Sequence, residues 1–223
     1  MSGFSEAPQG RRERNKQQKL ARITAAAIAL FAARGIDEVT TQEIADAADI
    51  GTGTLFLYAK NKGELLLLVQ NALYIEALDR GEAAASEARS PLDSVMAYVR
   101  PIVECNRKHI ANGRTYLREM VFGDPTEPHH AAAREIAAET ESRIAAALRS
   151  HDGFDAHRAA AVAQITSAVM LLALGAGAAA ASATASAASV SGTVSAPSDA
   201  EVTAHIEHQL AVVLGDAASA GPH

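Results

Sequence analysis

The sequence contains one cysteine, no tryptophan and only 4% aromatic residues. A lone thiol, Cys105, cannot close an internal disulfide, which suits a reducing compartment. So few aromatics, with alanine dominating the apolar fraction, argue against a β-sandwich, which draws on Val, Ile, Thr and aromatic residues. No run of about 18 apolar residues occurs, so a membrane span is not expected. Met1 to Gln17 is polar and basic with no apolar stretch, which is not the pattern of a signal peptide. The expected setting is the cytoplasm, with no membrane partner. There is no P-loop, no G-x-S-x-G, no nucleophile–base pair and no cluster with metal-ligand spacing. His205 and His208 read as a solvated helix face rather than as ligands. Accordingly no catalytic residue, metal or cofactor is assigned, and the chain is not read as an enzyme; a helical enzyme stays as a remote alternative.

What is present favours helices. Of 223 residues, 48% are apolar, and alanine, the best helix former, leads them. The net charge of −6 conceals an asymmetry. Between Gly10 and Gly35 stand Arg11, Arg12, Arg14, Lys16, Lys19, Arg22 and Arg34 against Glu13 alone. From Leu67 onward the balance is acidic. A basic end on an acidic body fits a module that docks on nucleic acid, and equally a solvated basic tail.

The order of elements is legible from periodicity and breakers. A helix begins near Arg12, with Leu20, Ile23, Ala27, Leu30 and Phe31 on one face, and stops at Gly35. Thr40 followed by Glu43 is a capping box, and Val39 with Ile44 a hydrophobic staple, so a second helix runs to about Ala48. Asp49-Ile50-Gly51 breaks it. A short third helix from Thr52 to about Ala59 follows. Two short helices joined by a three-residue turn form a helix-turn-helix candidate. Downstream, helices are expected from Glu64 to about Ser86 and over about 92–110, 114–122, 129–150 and 155–180, with a last one from Asp199 to Leu214. The stretch 178–198 is low in complexity, and its second half reads as a loop.

The segment Ile23 to Leu66 resembles the TetR family of bacterial regulators. The matching residues include Ala27, Phe31, Gly35, Val39-Thr40, Ile44-Ala45, Ala48, Gly53-Thr54-Leu55, Tyr58, Lys62 and Glu64. It departs from the usual pattern at Gly51, Thr52, Phe56, Leu57 and Ala59. The resemblance implies an all-α fold: a basic arm over 1–15, a three-helix DNA-binding domain over 16–62, and a helical ligand-binding and dimerisation domain over 63–223. The helix from Thr52 would enter the major groove while the helix from Thr40 crosses the backbone. Thr40, Thr41 and Gln42 are then candidates for phosphate contact, and Thr52, Gly53, Thr54 and Leu57 for the base edges. Tyr58 and Lys62 carry over from the family motif as phosphate binders, and Arg11, Arg12 and Arg14 would add contacts that position without reading sequence. Leu57 has a second reading as a core residue.

The expected partners are double-stranded operator DNA, a second copy of the chain, and a small apolar or amphipathic ligand. Val162, Ile165, Val169, Leu172 and Ala176 step by three and four, as do Val202, Ile206, Leu210 and Val213. These are the candidate dimer seam, or else an ordinary core stripe. The candidate ligand pocket is Met96, Val99, Ile102, Val103, Cys105, Tyr116, Met120 and Phe122, with Asn106 and His109 as polar contacts. The resulting expectation is a repressor released from its operator by a small molecule. The alternative is a DNA-binding regulator without such a switch, controlled by a protein partner.

Overall fold

Alanine- and leucine-rich stretches separated by Gly, Pro and Asp breakers fold as helices. The computed structural model describes residues 10–175 and 196–215, and among these it contains no strand. The helices are α1 (Arg11–Arg34), α2 (Thr41–Ala47), α3 (Thr52–Leu55), α4 (Lys62–Ala85), α5 (Pro91–Arg107), α6 (Ile110–Phe122), α7 (Pro128–Leu148), α8 (Ala156–Gly175) and α9 (Asp199–Gly215). Two units emerge, Met1–Val69 and Gln70–His223. The division falls inside α4 rather than at the expected 62/63. Residues 11–15, expected in the arm, are the first turns of α1; residues 1–9 lie outside the described part.

In the first unit, α2 packs on α1 and on α3. Ile23, Ala27 and Phe31 of α1 are buried, as are Ile36, Val39, Ile44, Ala45, Ala48, Leu55 and Ala59. The staple pair Val39 and Ile44 is fully enclosed. Gly35 ends α1 with φ 80°, a conformation only glycine adopts freely, and its N–H bonds the Phe31 carbonyl at 2.9 Å.

In the second unit, α5 packs against α6, α7, α8 and α9. Ser90 caps α5, accepting a hydrogen bond from the Asp93 N–H at 3.1 Å, with Pro91 in the first turn. The helix runs through Pro101 to Arg107. It breaks at Lys108 and His109, not at Gly113 as the sequence suggested. Gly113 is instead inside α6, where a Cβ would stand 2.1 Å from the Asn106 carbonyl oxygen. The glycine is there for close approach and not for a turn.

At the other end of the body, Arg107, almost wholly buried, donates to the Asp199 carboxylate at 2.7 Å and to the Pro197 carbonyl, fixing the start of α9. Ser198 and Glu201 form a capping box there. The Glu201 carboxylate accepts from the Ser198 N–H at 2.7 Å, and the Glu201 N–H donates back to the hydroxyl at 3.3 Å. Despite the absence of an uninterrupted apolar run, α8 is long and apolar enough by length and composition to cross a membrane. One side of it, Ala159, Val162, Ala163, Thr166, Met170 and Leu174, is buried in the unit, chiefly against α7.

Candidate nucleic-acid interface and ligand cleft

The helix-turn-helix is held by local chemistry. Thr40 caps α2, its hydroxyl oxygen accepting from the Glu43 N–H at 3.2 Å, and the Glu43 carboxylate accepts from the Thr40 N–H at 2.8 Å. Arg34 reaches the same carboxylate at 2.8 Å. The Thr40 N–H, and then Arg34, hold the Glu43 carboxyl down at about 2. Its full negative charge therefore sits on the positive end of α2, and its N–H is used by the cap. Asp49 turns the chain with φ 53°, a left-handed conformation that Asp tolerates better than most residues. Gly51, extended at φ −72° and ψ 145°, caps α3. The α3 helix itself spans only Thr52–Leu55, continued by hydrogen-bonded turns to Tyr58 and Ala59.

These constraints decide what faces outward. Leu57 is 84% exposed and Phe56 43%, so the core reading of Leu57 is set aside. Gly53 is exposed, and Thr41, Thr52, Thr54, Tyr58 and Lys62 are half-buried. The Thr52 hydroxyl donates to the Gln42 side-chain oxygen Oε1 at 2.6 Å, and the Gln42 side-chain amide donates to Asp46 at 2.7 Å. The candidate base contact Thr52 and the candidate phosphate contact Gln42 are thus occupied with each other and with Asp46. Tyr58 donates to the Lys16 carbonyl and Lys62 to the Asp37 carbonyl, each at 3.4 Å. Arg11, Arg12 and Arg14 are exposed, as is every residue of α1 through Lys19.

The second unit contains an apolar cleft of about 70 Å³. Tyr74 of α4, Ile102 of α5, Tyr116 and Met120 of α6, Ile136 and Thr140 of α7, and Ser167 and Met170 of α8 contribute to its wall. The Tyr74 and Tyr116 rings stack with centroids 4.5 Å apart and planes 20° from parallel. Tyr116 donates to Asn71 at 3.0 Å, and Tyr74 accepts from the Asn106 amide at 2.7 Å. Burial raises the pKa of both phenols.

Of the pocket residues expected from sequence, Ile102, Tyr116 and Met120 line this cleft. Met96, Val99 and Val103 are buried core that does not reach it. Asn106 stands behind Tyr74. The Nδ1 of His109 is buried with no hydrogen-bond partner, at the cap of α6. Phe122, 83% exposed at the end of α6, does not line the cleft. Cys105 lies in a separate charged groove with Glu76, Arg80, Glu104 and Lys108, and burial pushes its thiol up to about 11. The α7 and α8 contributions lie outside the stretch 96–122 from which the sequence drew its pocket residues.

That seam needs correction. Val162, Val202, Ile206 and Leu210 are buried within one subunit, where α9 packs on α5 and α8. Val169 and Val213 are half-buried, and Ala176 lies outside the described residues. Ile165 (41%) and Leu172 (68%) do face solvent, as does Val212 (54%) on α9.

With the geometry in hand, comparison with known proteins is direct. Residues 23–69 match the profile described as bacterial regulatory proteins, tetR family. No curated protein matches the sequence. A TetR-family transcriptional regulator from Streptomyces coelicolor superposes with a TM-score of 0.60 at 19% identity, covering 94% of this chain and 97% of that one. The solved structure of RolR with its ligand resorcinol gives 0.59 at 19%, covering 94% and 98%. The Thermus thermophilus repressor FadR in complex with lauroyl-CoA gives 0.58 at 22%, covering 86% and 92%. A helix-turn-helix unit followed by a helical body is the fold of these solved structures; the segment over residues 23–69 matches the TetR-family model, and the chain shares the TetR-type fold.

Proposed function

We propose that this protein is a dimeric repressor that grips a DNA palindrome and is released by a small molecule. The observation that carries the DNA half is the outward surface of α3. A leucine 84% exposed, in the hydrogen-bonded turns that continue the second helix of a helix-turn-helix, has no role inside the fold and suits apolar contact with thymine methyl groups. Thr54 and Gly53 flank it, and Tyr58, Lys62 and the exposed arginines of α1 supply phosphate contacts that hold the register.

Dimerisation would use the outward faces of α8 and α9. Ile165, Leu172 and Val212 stand exposed there among alanines, an apolar surface that a second copy would cover; a palindrome with half-sites one DNA turn apart calls for two recognition helices about 34–36 Å apart. Release by ligand is supported by the apolar cleft and by the bound ligands of RolR and FadR. A hundredfold loss of operator affinity requires about 2.7 kcal/mol of coupling, and operator must weaken ligand binding by the same factor.

One observation favours the reading without a ligand switch. The cleft, at about 70 Å³, is smaller than the ~150 Å³ cavity that holds benzene in an engineered protein. The deciding experiment selects operator fragments from genomic DNA with the purified chain, then titrates thermal-shift binders with and without operator. A binder whose affinity falls in the presence of operator supports the switch. Equal affinities for every binder leave a DNA-binding regulator controlled by a protein partner.

A further inference from the structure

The cleft is more selective than its apolar character alone implies. None of its lining side chains is Asp, Glu, Lys, Arg or His. A carboxylate or phosphate placed there would lose its hydration with no cation to answer it. The polar lining atoms are mostly engaged by the protein: Tyr116 with Asn71, Tyr74 with Asn106, and Thr140 donating to the Ile136 carbonyl at 2.7 Å. Ser167, half-buried on α8, is the lining hydroxyl with no recorded partner among the described residues. The stacked tyrosines give a flat wall. Met120 and Met170, unbranched and flexible, stand where the space must widen for any ring to enter.

We infer that the cleft selects a small, uncharged, largely apolar ligand with one hydrogen-bonding group and rejects anions. This rests on the reading of the cleft as a ligand site. The ring lies against the tyrosine wall, its polar group meets the Ser167 hydroxyl, and the methionines swing aside to admit it.

The test uses the full chain with methyl-labelled methionine, followed by NMR during titration with phenol, toluene and benzoate at pH 7. Met120 and Met170 line the cleft, whereas Met96, buried and outside it, is an internal control. Phenol and toluene should move the Met120 and Met170 signals and spare Met96, and benzoate should bind at least about tenfold more weakly. Ser167→Ala should weaken phenol about fivefold, the loss of one neutral hydrogen bond, and leave toluene unchanged. Benzoate binding as tightly as phenol at these methyls would overturn the preference for neutral ligands while leaving the ligand-responsive reading in place. An unchanged phenol affinity in Ser167→Ala would remove the hydroxyl as anchor and overturn that part of the inference. If no probe moves Met120 or Met170, both the inference and the ligand-site reading fall.

Discussion

Leu57 and Thr40 show how differently two residues of one helix-turn-helix can matter. Leu57 touches little of its own protein, so Leu57→Ala should leave the melting temperature nearly unchanged, as surface substitutions do. Its side chain can gain burial only against a partner. Operator affinity should therefore fall about tenfold, with non-specific DNA binding little altered. Fluorescence anisotropy on selected and random duplexes measures both, and an equal loss on the two would place Leu57 outside base reading. Thr40→Ala should instead cost about 1 kcal/mol of folding stability through the lost cap. Glu43 adds a pH signature. Its carboxyl is lowered from 4.5 to about 2 in the folded chain, so the stability it contributes is complete above 4.5 and is lost as pH falls toward 2. Glu43→Gln should flatten the dependence of the unfolding midpoint across that window, measured by urea titration at pH 5 and pH 3. The Thr40–Glu43 box and the Val39–Ile44 staple were readable from sequence, because caps and staples depend on residues three to five apart; the outward turn of Leu57 and the Arg34–Glu43 pair were not. The twin box at Ser198 and Glu201 carried the same signature and passed unread beside a low-complexity stretch.

Helices are harder to read than their ends. In α8 the stripe Val162, Ile165, Val169, Leu172 looked like one face. The buried face is instead Ala159, Val162, Ala163, Thr166, Met170 and Leu174. Thr166 misled because it is polar yet fully buried, its hydroxyl satisfied by the Val162 carbonyl at 2.8 Å. An alanine-rich helix has two apolar sides, and only its neighbours decide which one is core. The cleft was illegible for the same reason, being assembled from five helices far apart in sequence. Two substitutions test the elements. Leu172→Glu puts a charge on the exposed apolar face, and sedimentation at micromolar concentration should report monomers with little change in helicity; a persistent dimer would move the interface elsewhere. Gly113→Ala sets a methyl against the Asn106 backbone and should destabilise by about 1–3 kcal/mol, the cost of overpacking. Calorimetry would detect it, and an unaltered unfolding temperature would mean that α5 and α6 yield more easily than their contact suggests.

For the whole molecule, the unevenness of charge was legible before any helix was placed, since basic residues gather in α1 and acidic ones prevail after Leu67. Replacing Arg11, Arg12 and Arg14 together by alanine should weaken specific and non-specific DNA binding alike. It should also make the slope of log K against log salt shallower by up to about 0.9 per lost phosphate contact. An unchanged slope would take these arginines out of the interface. The bare, cationic beginning of α1 also bears on purification. With a net charge of −6, the chain should be held at neutral pH by a positively charged resin. The same preparation should adhere to heparin, a polyanion, through the first turns of α1. Retention on both columns, with the heparin affinity alone abolished by the triple substitution, is the chromatographic behaviour that this uneven placement of charge predicts.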